Sequence, residues 1–220
     1  MIFQGVMTAI VTPMQEGSID EGGLRNLIRT QLESGVEGIV ACGSTGEGAT
    51  LSKGEHNYVL EIAVDEALGR VPVIAGIGSR STHAALDLAE RARTAGASGL
   101  LVVTPAYNKP TQHGLETHFV TIAENTDLPV CLYNVPGRTG IDLKPETVLR
   151  LAAHRNIVAI KEATGSMVRA SEIRRLCGPD FALLSGDDFT TLPFMALGGD
   201  GVISVLSNVA PAEVVALVRA

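Results

Sequence analysis

Short apolar runs alternate along the chain with stretches in which apolar residues recur at helical spacing. The runs are rich in β-branched residues and show little strict alternation, which is typical of parallel strands covered on both faces. Eight strands are predicted, at residues 6–12, 38–42, 73–75, 99–103, 130–133, 157–161, 182–185 and 201–205. Helices are predicted between them, at residues 21–34, 52–68, 82–94, 112–125, 145–153, 168–176 and 192–197, with a last one beginning near residue 211.

Local signals support these helix ends. Ser52 and Glu55 have the spacing of a capping box, in which the hydroxyl accepts a backbone N–H and the carboxylate reaches back. Pro145 and Pro211 fit the first turn of a helix, where a missing N–H is tolerated. Glycines stand where four helices are expected to end, at Gly35, Gly69, Gly96 and Gly178.

Eight βα repeats without a linker predict one domain, residues 1–220, folded as a closed (β/α)8 TIM barrel. A doubly wound open sheet is the alternative. It is disfavoured because no GxGxxG motif stands at the first βα turn, and the glycine-rich turn follows the second strand instead. The sequence stops at Ala220, within or near the eighth helix. A short last helix, a covering subunit or a longer parent protein would each account for this ending.

Composition narrows the function classes. The formal charge of −7 disfavours a nucleic-acid surface, and no apolar stretch is long enough to span a membrane. The first residues lack the charged region of a signal peptide. Three cysteines, Cys42, Cys131 and Cys177, show neither metal-binding nor disulfide spacing. We therefore expect a cytoplasmic protein with free thiols and no metal.

Lys161 is the foremost candidate for chemistry, because it closes the apolar strand at residues 157–161. In a barrel, reactive side chains lie where strands end and βα loops begin. Burial lowers the pKa of a lysine and leaves a neutral amine, which can attack a ketone and form an imine. The alternative is a structural lysine that reaches solvent and pairs with Glu162.

Three further features fall at strand ends. Tyr133 could relay protons, or it could be a core aromatic with a satisfied hydroxyl. Arg138 suits bidentate capture of a carboxylate, although a lone loop arginine is more often solvated. The glycine-rich turn at residues 43–48 lacks the P-loop pattern and could hold a carboxylate or a phosphate through its N–H groups.

The remaining polar candidates are expected to have structural roles or to lie on the surface. Asp187 and Asp188 have no third ligand nearby in the sequence, so a helix cap is preferred over a metal site. The five histidines show no ligand spacing and most are expected on the surface; they are His56, His83, His113, His118 and His154.

Four segments together carry a resemblance that covers essentially the whole chain. They are GSTGE at 43–47, YNVPGRT at 133–139, IKEATG at 160–165 and LSGDD at 184–188. In their order and spacing the chain resembles the dihydrodipicolinate synthase and N-acetylneuraminate lyase family of class I pyruvate aldolases. The resemblance implies a TIM barrel without metal or organic cofactor. It also implies condensation of pyruvate with aspartate 4-semialdehyde to 4-hydroxy-tetrahydrodipicolinate, in lysine and diaminopimelate biosynthesis.

The resemblance also assigns roles to residues. Lys161 would form the Schiff base with pyruvate, and Tyr133 would move the protons. The Ser44 hydroxyl would link Tyr133 to Tyr107, which in this family crosses a dimer interface into the partner's site, so a homodimer or homotetramer is implied. Thr45 would hold the pyruvate carboxylate together with Ser44. The other implied pocket residues are Arg138, for the carboxylate of the second substrate, and Gly186 and Ile203 in the wall.

The chain departs from the family pattern in two places. Ser44 stands where the synthases usually carry threonine, which keeps a retro-aldol lyase of a keto sugar acid as an alternative, whereas Arg138 favours the synthase. The family's C-terminal helical extension is missing. A catalytically impaired, truncated barrel that serves as a binding or assembly module is therefore a further alternative.

Feedback inhibition is a separate expectation. Lysine-inhibited members of the family bind lysine at the dimer interface. The corresponding positions here include His56 together with two cations and two alanines, Lys53, Arg80, Ala84 and Ala106. A cation repels an ammonium ligand, so weak or absent inhibition by lysine is expected.

Overall fold

The computed structural model describes residues 2–220. The strands are, in chain order, β1 (Gly5–Ala9), the hairpin strands β2 (Met14–Gln15) and β3 (Ser18–Ile19), β4 (Gly38–Ala41), β5 (Val73–Gly76), β6 (Gly99–Val103), β7 (Val130–Asn134), β8 (Ile157–Glu162), β9 (Ala182–Ser185) and β10 (Gly201–Ser204). All except the hairpin form one closed barrel, in the order β1-β10-β9-β8-β7-β6-β5-β4.

Helices follow the barrel strands. They are α1 (Glu21–Glu33), α2 (Lys53–Ala67), α3 (Thr82–Thr94), α4 (Gln112–Glu124), α5 (Pro136–Thr139), α6 (Pro145–Ala152), α7 (Met167–Cys177), α8 (Thr191–Ala196) and α9 (Pro211–Arg219). Two 3₁₀ turns lie at Asp188–Thr190 and Leu206–Asn208. None of the helices formed by residues 2–220 is long and apolar enough to cross a membrane.

The predicted TIM barrel is confirmed. The open doubly wound sheet is excluded because β1 pairs in parallel with both β10 and β4, which closes the sheet on itself. Every predicted strand and helix is present, with small shifts at the ends. The first strand ends at Ala9, short of the predicted residue 12, and beyond it the Val11 N–H donates to the Asn208 side chain at 3.0 Å. The hairpin β2–β3 and the short helix α5 were not predicted.

Side chains alternate along each barrel strand and so form two apolar layers. The first layer fills the barrel interior, and its members include Met7, Ala9, Val40, Ile74 and Leu184. The second lies between the strands and the surrounding helices, and its members include Val6, Ile39, Leu100 and Ile160. A lysine on one of these strands is therefore surrounded by apolar groups whichever way it points.

The predicted helix ends are confirmed. The Ser52 hydroxyl accepts the Glu55 N–H at 3.3 Å, and the Glu55 carboxylate accepts the Ser52 N–H at 2.8 Å. The four glycines predicted at helix ends have φ between +70° and +87°, a left-handed region that favours glycine.

Candidate active site

Lys161 lies near the C-terminal end of β8, where only 4% of the residue is exposed. Burial is the main cause that lowers the pKa of its amine to about 8, because the charged form loses its water. The Arg138 cation also lowers this pKa, whereas Cys131 and Asp188 raise it. Lys161 therefore presents a neutral, nucleophilic amine much more often near neutral pH than an exposed lysine does.

Tyr133 stands directly opposite Lys161 across the β7–β8 ladder. The Lys161 Nζ lies 4.5 Å from the centroid of the Tyr133 ring. Burial raises the pKa of the phenol, while a hydrogen bond with Ser44 and the charge of Arg138 act to lower it. The hydroxyl thus keeps its proton at neutral pH, and Ser44 lines the same cavity, as a relay between the two hydroxyls requires.

A cavity of about 250 Å³ opens at the C-terminal end of the barrel and contains Lys161 and Tyr133. Four more of the predicted site residues line it: Ser44, Thr45, Arg138 and Gly186. Six lining residues had been given no role in the pocket, and they are Val135, Ala163, Thr164, Gly165, Asp187 and Val205. All six lie within three residues after the end of a barrel strand, which is the signal that could have identified them.

The turn at residues 43–48 places Ser44 and Thr45 in the cavity wall. Cys42 begins the turn at φ +57°, and a Cβ on Gly48 would lie 2.0 Å from the Cys42 carbonyl oxygen, so only glycine allows so tight a fold. The Thr12 hydroxyl donates to the Gly46 carbonyl at 2.7 Å and braces the turn. Within residues 2–220, the N–H groups of Ser44 and Thr45 donate to no protein acceptor. They are free to bind a carboxylate.

Gly186 makes room for the lysine. A Cβ at this position would lie 3.0 Å from the Lys161 Cε and 2.6 Å from the Ala163 Cβ. Any larger residue would push against the amine-bearing side chain or against the cavity wall.

Two predicted site residues lie elsewhere. Tyr107 is in the loop between β6 and α4, with φ +72° and 84% of its surface exposed, and it does not line the cavity of Lys161. Ile203 is buried in the barrel interior with Tyr133 rather than in the cavity wall. Val205, two residues further along, lines the wall in its place. The chain by itself therefore does not bring Tyr107 to Lys161.

The polar neighbours of the site have structural partners. Glu162 does not pair with Lys161; its carboxylate contacts Arg169 at 2.8 Å on the outer side of the barrel. The Asp188 carboxylate accepts the N–H groups of Val205 and Leu206, both at 3.0 Å, and so caps the 3₁₀ turn after β10. The sequence predicted that this aspartate pair would cap a helix. Asp188 does act as a cap, but on the turn that follows β10 and not on the helix directly after it. Residues 2–220 contain no cluster of side chains that could hold a metal ion.

Most of the five histidines were expected on the surface, and three of them are not buried: His83 and His113 are exposed and His154 is half-buried. His56 and His118 are buried, and each ring makes one hydrogen bond. The His56 Nε2 contacts the Gly76 carbonyl at 2.8 Å, and the His118 Nδ1 contacts the Thr82 hydroxyl at 2.8 Å. Helical spacing alone could not separate these positions from exposed ones.

A second cavity of about 620 Å³ adjoins the first and shares Ser44, Val135 and Arg138 with it. All five positions considered for lysine inhibition line this cavity: Lys53, His56, Arg80, Ala84 and Ala106. Lys53 is paired with Asp87 at 2.8 Å, whereas Arg80 makes no ion pair within residues 2–220. The structure thus places these positions together, with an unpaired cation among them.

Comparison with known proteins identifies the family. The sequence profile of the Dihydrodipicolinate synthetase family matches residues 2–220. The chain belongs to that family. A 4-hydroxy-tetrahydrodipicolinate synthase from Citrifermentans bemidjiense is 56% identical over 219 residues, which is 100% of this chain and 76% of that protein.

Solved structures of the dihydrodipicolinate synthetase family have the same fold. A dihydrodipicolinate synthase from Thermotoga maritima is 44% identical with a TM-score of 0.98, over 100% of this chain and 76% of that one. A structure described as the first monomeric dihydrodipicolinate synthase variant is also 44% identical, with a TM-score of 0.97 over 99% of this chain and 74% of that one. The family predicted from the four sequence segments is confirmed.

Proposed function

We propose that this chain condenses pyruvate with aspartate 4-semialdehyde to give 4-hydroxy-tetrahydrodipicolinate, as an enzyme of lysine and diaminopimelate biosynthesis. The observation that carries the proposal is the buried amine of Lys161, 4.5 Å from the Tyr133 ring centroid in a cavity that Arg138 also lines. The family and the name of the relative from Citrifermentans bemidjiense support the same reaction. Such a biosynthetic enzyme would work in the cytoplasm, where its three free cysteines stay reduced.

The first step is imine formation. A pKa of about 8 instead of 10.5 makes the neutral Lys161 amine roughly 300-fold more abundant near pH 7. The amine attacks the ketone carbon of pyruvate, and the resulting carbinolamine loses water once its oxygen takes up a proton. Tyr133 is placed to donate that proton, because its phenol remains protonated and lines the cavity beside Lys161. The free N–H groups of Ser44 and Thr45 hold the pyruvate carboxylate.

The second step forms the carbon–carbon bond. Loss of a methyl proton converts the iminium into an enamine, whose carbon attacks the aldehyde of the second substrate while the aldehyde oxygen takes up a proton. The amino group of that substrate then attacks the imine carbon and displaces Lys161, which closes the ring. Arg138 at the cavity mouth binds the carboxylate of the second substrate, since a guanidinium suits bidentate pairing.

Self-association completes the site in this proposal. Tyr107 is exposed, has φ +72° and lies outside the cavity of its own chain. A large aromatic held in a strained conformation on the surface is suited to enter a neighbouring molecule. We therefore assign Tyr107 to the relay of a partner subunit in a homodimer or homotetramer.

Borohydride trapping tests the imine. Incubation with pyruvate and borohydride should add one reduced pyruvate to the intact mass, at Lys161, and the Lys161→Met variant should show no adduct. Trapping should increase with pH through a midpoint near the Lys161 pKa of about 8, because only the neutral amine attacks. Absence of an adduct in the wild type would refute the proposal.

A substrate comparison separates the synthase from a retro-aldol lyase. We expect turnover with pyruvate and aspartate 4-semialdehyde, and no release of pyruvate from N-acetylneuraminate. The Arg138→Ala variant should lose turnover with the semialdehyde by more than tenfold, in line with removal of a charged hydrogen-bond pair, while pyruvate trapping continues. The reverse substrate preference would establish the lyase.

A further inference from the structure

A buried polar cluster lies directly behind the two central site residues. Tyr133 pairs with Lys161 across the β7–β8 ladder, and Asn134 pairs with Glu162 one position further on. Side chains alternate along a strand, so Asn134 and Glu162 face the surrounding helices instead of the cavity. Both are buried. A buried carboxylate at this place is tolerated only if it is well paired.

The Glu162 carboxylate uses both of its oxygens. Its Oε2 accepts the Arg169 Nε at 2.8 Å and the Asn134 Nδ2 at 3.1 Å. Its Oε1 accepts the backbone N–H of Thr164 at 2.8 Å. One side chain thus joins the end of β7, the loop after β8 and helix α7.

The cluster extends to the loop between α5 and α6. The Asp142 carboxylate accepts the Arg169 Nη1 at 3.1 Å and the Asn134 Nδ2 at 3.0 Å. The Leu143 N–H donates to the Asn134 Oδ1 at 3.0 Å, and the Leu143 carbonyl accepts from Arg169. Four separate segments are therefore linked behind the site by side-chain hydrogen bonds.

These hydrogen bonds affect the position of the cavity wall more than the charge of the Lys161 amine. Residues Ala163, Thr164 and Gly165 form part of the cavity wall, and the wall is anchored by the Thr164 N–H on Glu162 and the Ala163 N–H on the Asn134 carbonyl at 2.9 Å. Glu162 is not among the groups that shift the pKa of Lys161. Its negative charge is matched by Arg169 on the far side of the strand.

We propose that the Glu162–Arg169 pair, linked through Asn134, is a positioning device that holds the Lys161 amine against Tyr133 and keeps the cavity wall in place. Glu162 and Arg169 touch no substrate in this scheme and act through the strand ends and the loop. The inference rests on the proposed function, because it takes Lys161 as the reacting amine.

Glu162→Gln is the direct test. An amide NH₂ in place of Oε2 faces the donors of Arg169 and Asn134, and in place of Oε1 it faces the Thr164 N–H. At least one contact is therefore lost in either orientation. Because small displacements of a reacting group are costly, kcat and the rate of borohydride-trapped imine formation should fall at least about tenfold, with a smaller change in the KM for pyruvate. The pH midpoint of trapping should stay at the wild-type value.

A matched control comes from the other end of α7. Arg174 pairs with Asp200 at 2.5 Å, and Asp200 also accepts the Leu183 N–H at 2.7 Å. This pair is more exposed than the first, with 18% and 22% of its side chains accessible against 13% and 1%, and it lies at the opposite end of the barrel. Asp200→Asn should lower Tm as Glu162→Gln does, yet leave kcat within about twofold of the wild type, since it disturbs no strand end at the cavity.

The outcomes separate the two proposals. If the wild type forms no pyruvate adduct, the proposed function fails. If the wild type is trapped and folded Glu162→Gln is trapped at the same rate, the positioning inference alone is overturned. A shifted pH midpoint with full rate at high pH would also overturn it, because the role would then be electrostatic. If Glu162→Gln fails to fold, Arg169→Lys is the second test. It keeps the positive charge but loses the guanidinium hydrogen bonds to Leu143 and Asp142. A wild-type kcat in that variant would overturn the inference.

Discussion

At the scale of single residues, the space around the amine matters as much as the amine itself. Gly186 faces the Lys161 side chain so closely that an added Cβ would lie 3.0 Å from its Cε. We expect Gly186→Ala to displace the lysine and to slow pyruvate trapping by about tenfold or more, since overpacking forces neighbours to move. Stopped reactions analysed by intact mass would measure the trapping rate.

Gly54→Ala is the control for this substitution. Gly54 lies in the first turn of α2, where an added Cβ would meet only the Ser52 hydroxyl at 3.9 Å. Alanine favours helix more than glycine does, so Tm should stay or rise while trapping is unchanged. Equal trapping rates in Gly186→Ala and the wild type would contradict the packing argument.

Substitution of Ser44 tests whether its hydroxyl takes part in the proton relay with Tyr133. The hydrogen bond from Ser44 lowers the pKa of Tyr133 against the effect of burial, so Ser44→Ala should raise that pKa further and weaken proton transfer. We expect kcat to fall about 100-fold, the lower end of the usual contribution of one positioned proton-transfer group. Ser44→Thr keeps a hydroxyl and should retain most of the activity. If the alanine and threonine variants behave alike in steady-state assays, the hydroxyl has no role in the relay.

At the scale of elements, packing between helices determines how the barrel responds to acid. His118 of α4 is buried against α3, where it contacts Thr82, and burial lowers the pKa of its ring to about 4. The unfolded chain takes up a proton at this histidine below about pH 6.5, and the folded chain does not until about pH 4. The free energy of unfolding should therefore fall as the pH drops through this window.

Urea unfolding at pH 7 and pH 5 measures the effect. We expect His118 to account for a loss on the order of 1 kcal/mol between these values, so the His118→Gln variant should lose that much less than the wild type. His83→Gln changes an exposed histidine of α3 and is the control. An identical pH dependence in the wild type and His118→Gln would show that the buried ring does not control acid stability.

The loops and helices around the larger cavity bear on feedback by lysine. Lys53 and Arg80 both line it, and Arg80 has no acidic partner within residues 2–220. Because a cation opposes binding of an ammonium group, lysine below about 1 mM should leave the turnover rate unchanged. Arg80→Ala removes the unpaired cation and should make any inhibition stronger, while Arg70→Ala, outside the cavity, should not. Sub-millimolar inhibition of the wild type would contradict this expectation.

At the scale of the whole molecule, the role proposed for Tyr107 requires a second copy of the chain. Lys161→Met and Tyr107→Phe should each be inactive alone. If Tyr107 acts on the partner's site, a mixed dimer of the two contains one complete site, with Lys161 from one chain and Tyr107 from the other. Random pairing after co-production should restore about a quarter of the wild-type activity.

The control is each variant produced by itself, which should remain inactive. Sedimentation velocity on the same samples would establish that dimers are present. Failure to recover activity in mixed dimers would place Tyr107 in its own chain's site or in none. The single-domain assignment of residues 1–220 stays a prediction at this scale, and so does the assembly.

The sequence by itself determined the alternation of strands and helices and the helix ends, and it indicated Lys161 as the candidate for chemistry. These follow from local causes: runs of β-branched residues, the Ser52–Glu55 capping box and an ionisable group placed at the end of an apolar strand. The closed barrel followed from eight repeats, and four motifs in order were sufficient for the family.

Only the tertiary structure decided which side chains meet. The Tyr133–Lys161 distance depends on strand register, and the partner of Glu162 is Arg169, on the next helix, instead of the adjacent lysine. The burial of His56 and His118 and the exposure of Tyr107 depend on how helices and loops pack around the barrel. Local sequence records propensity and pattern, whereas these contacts join residues that only chain folding brings together.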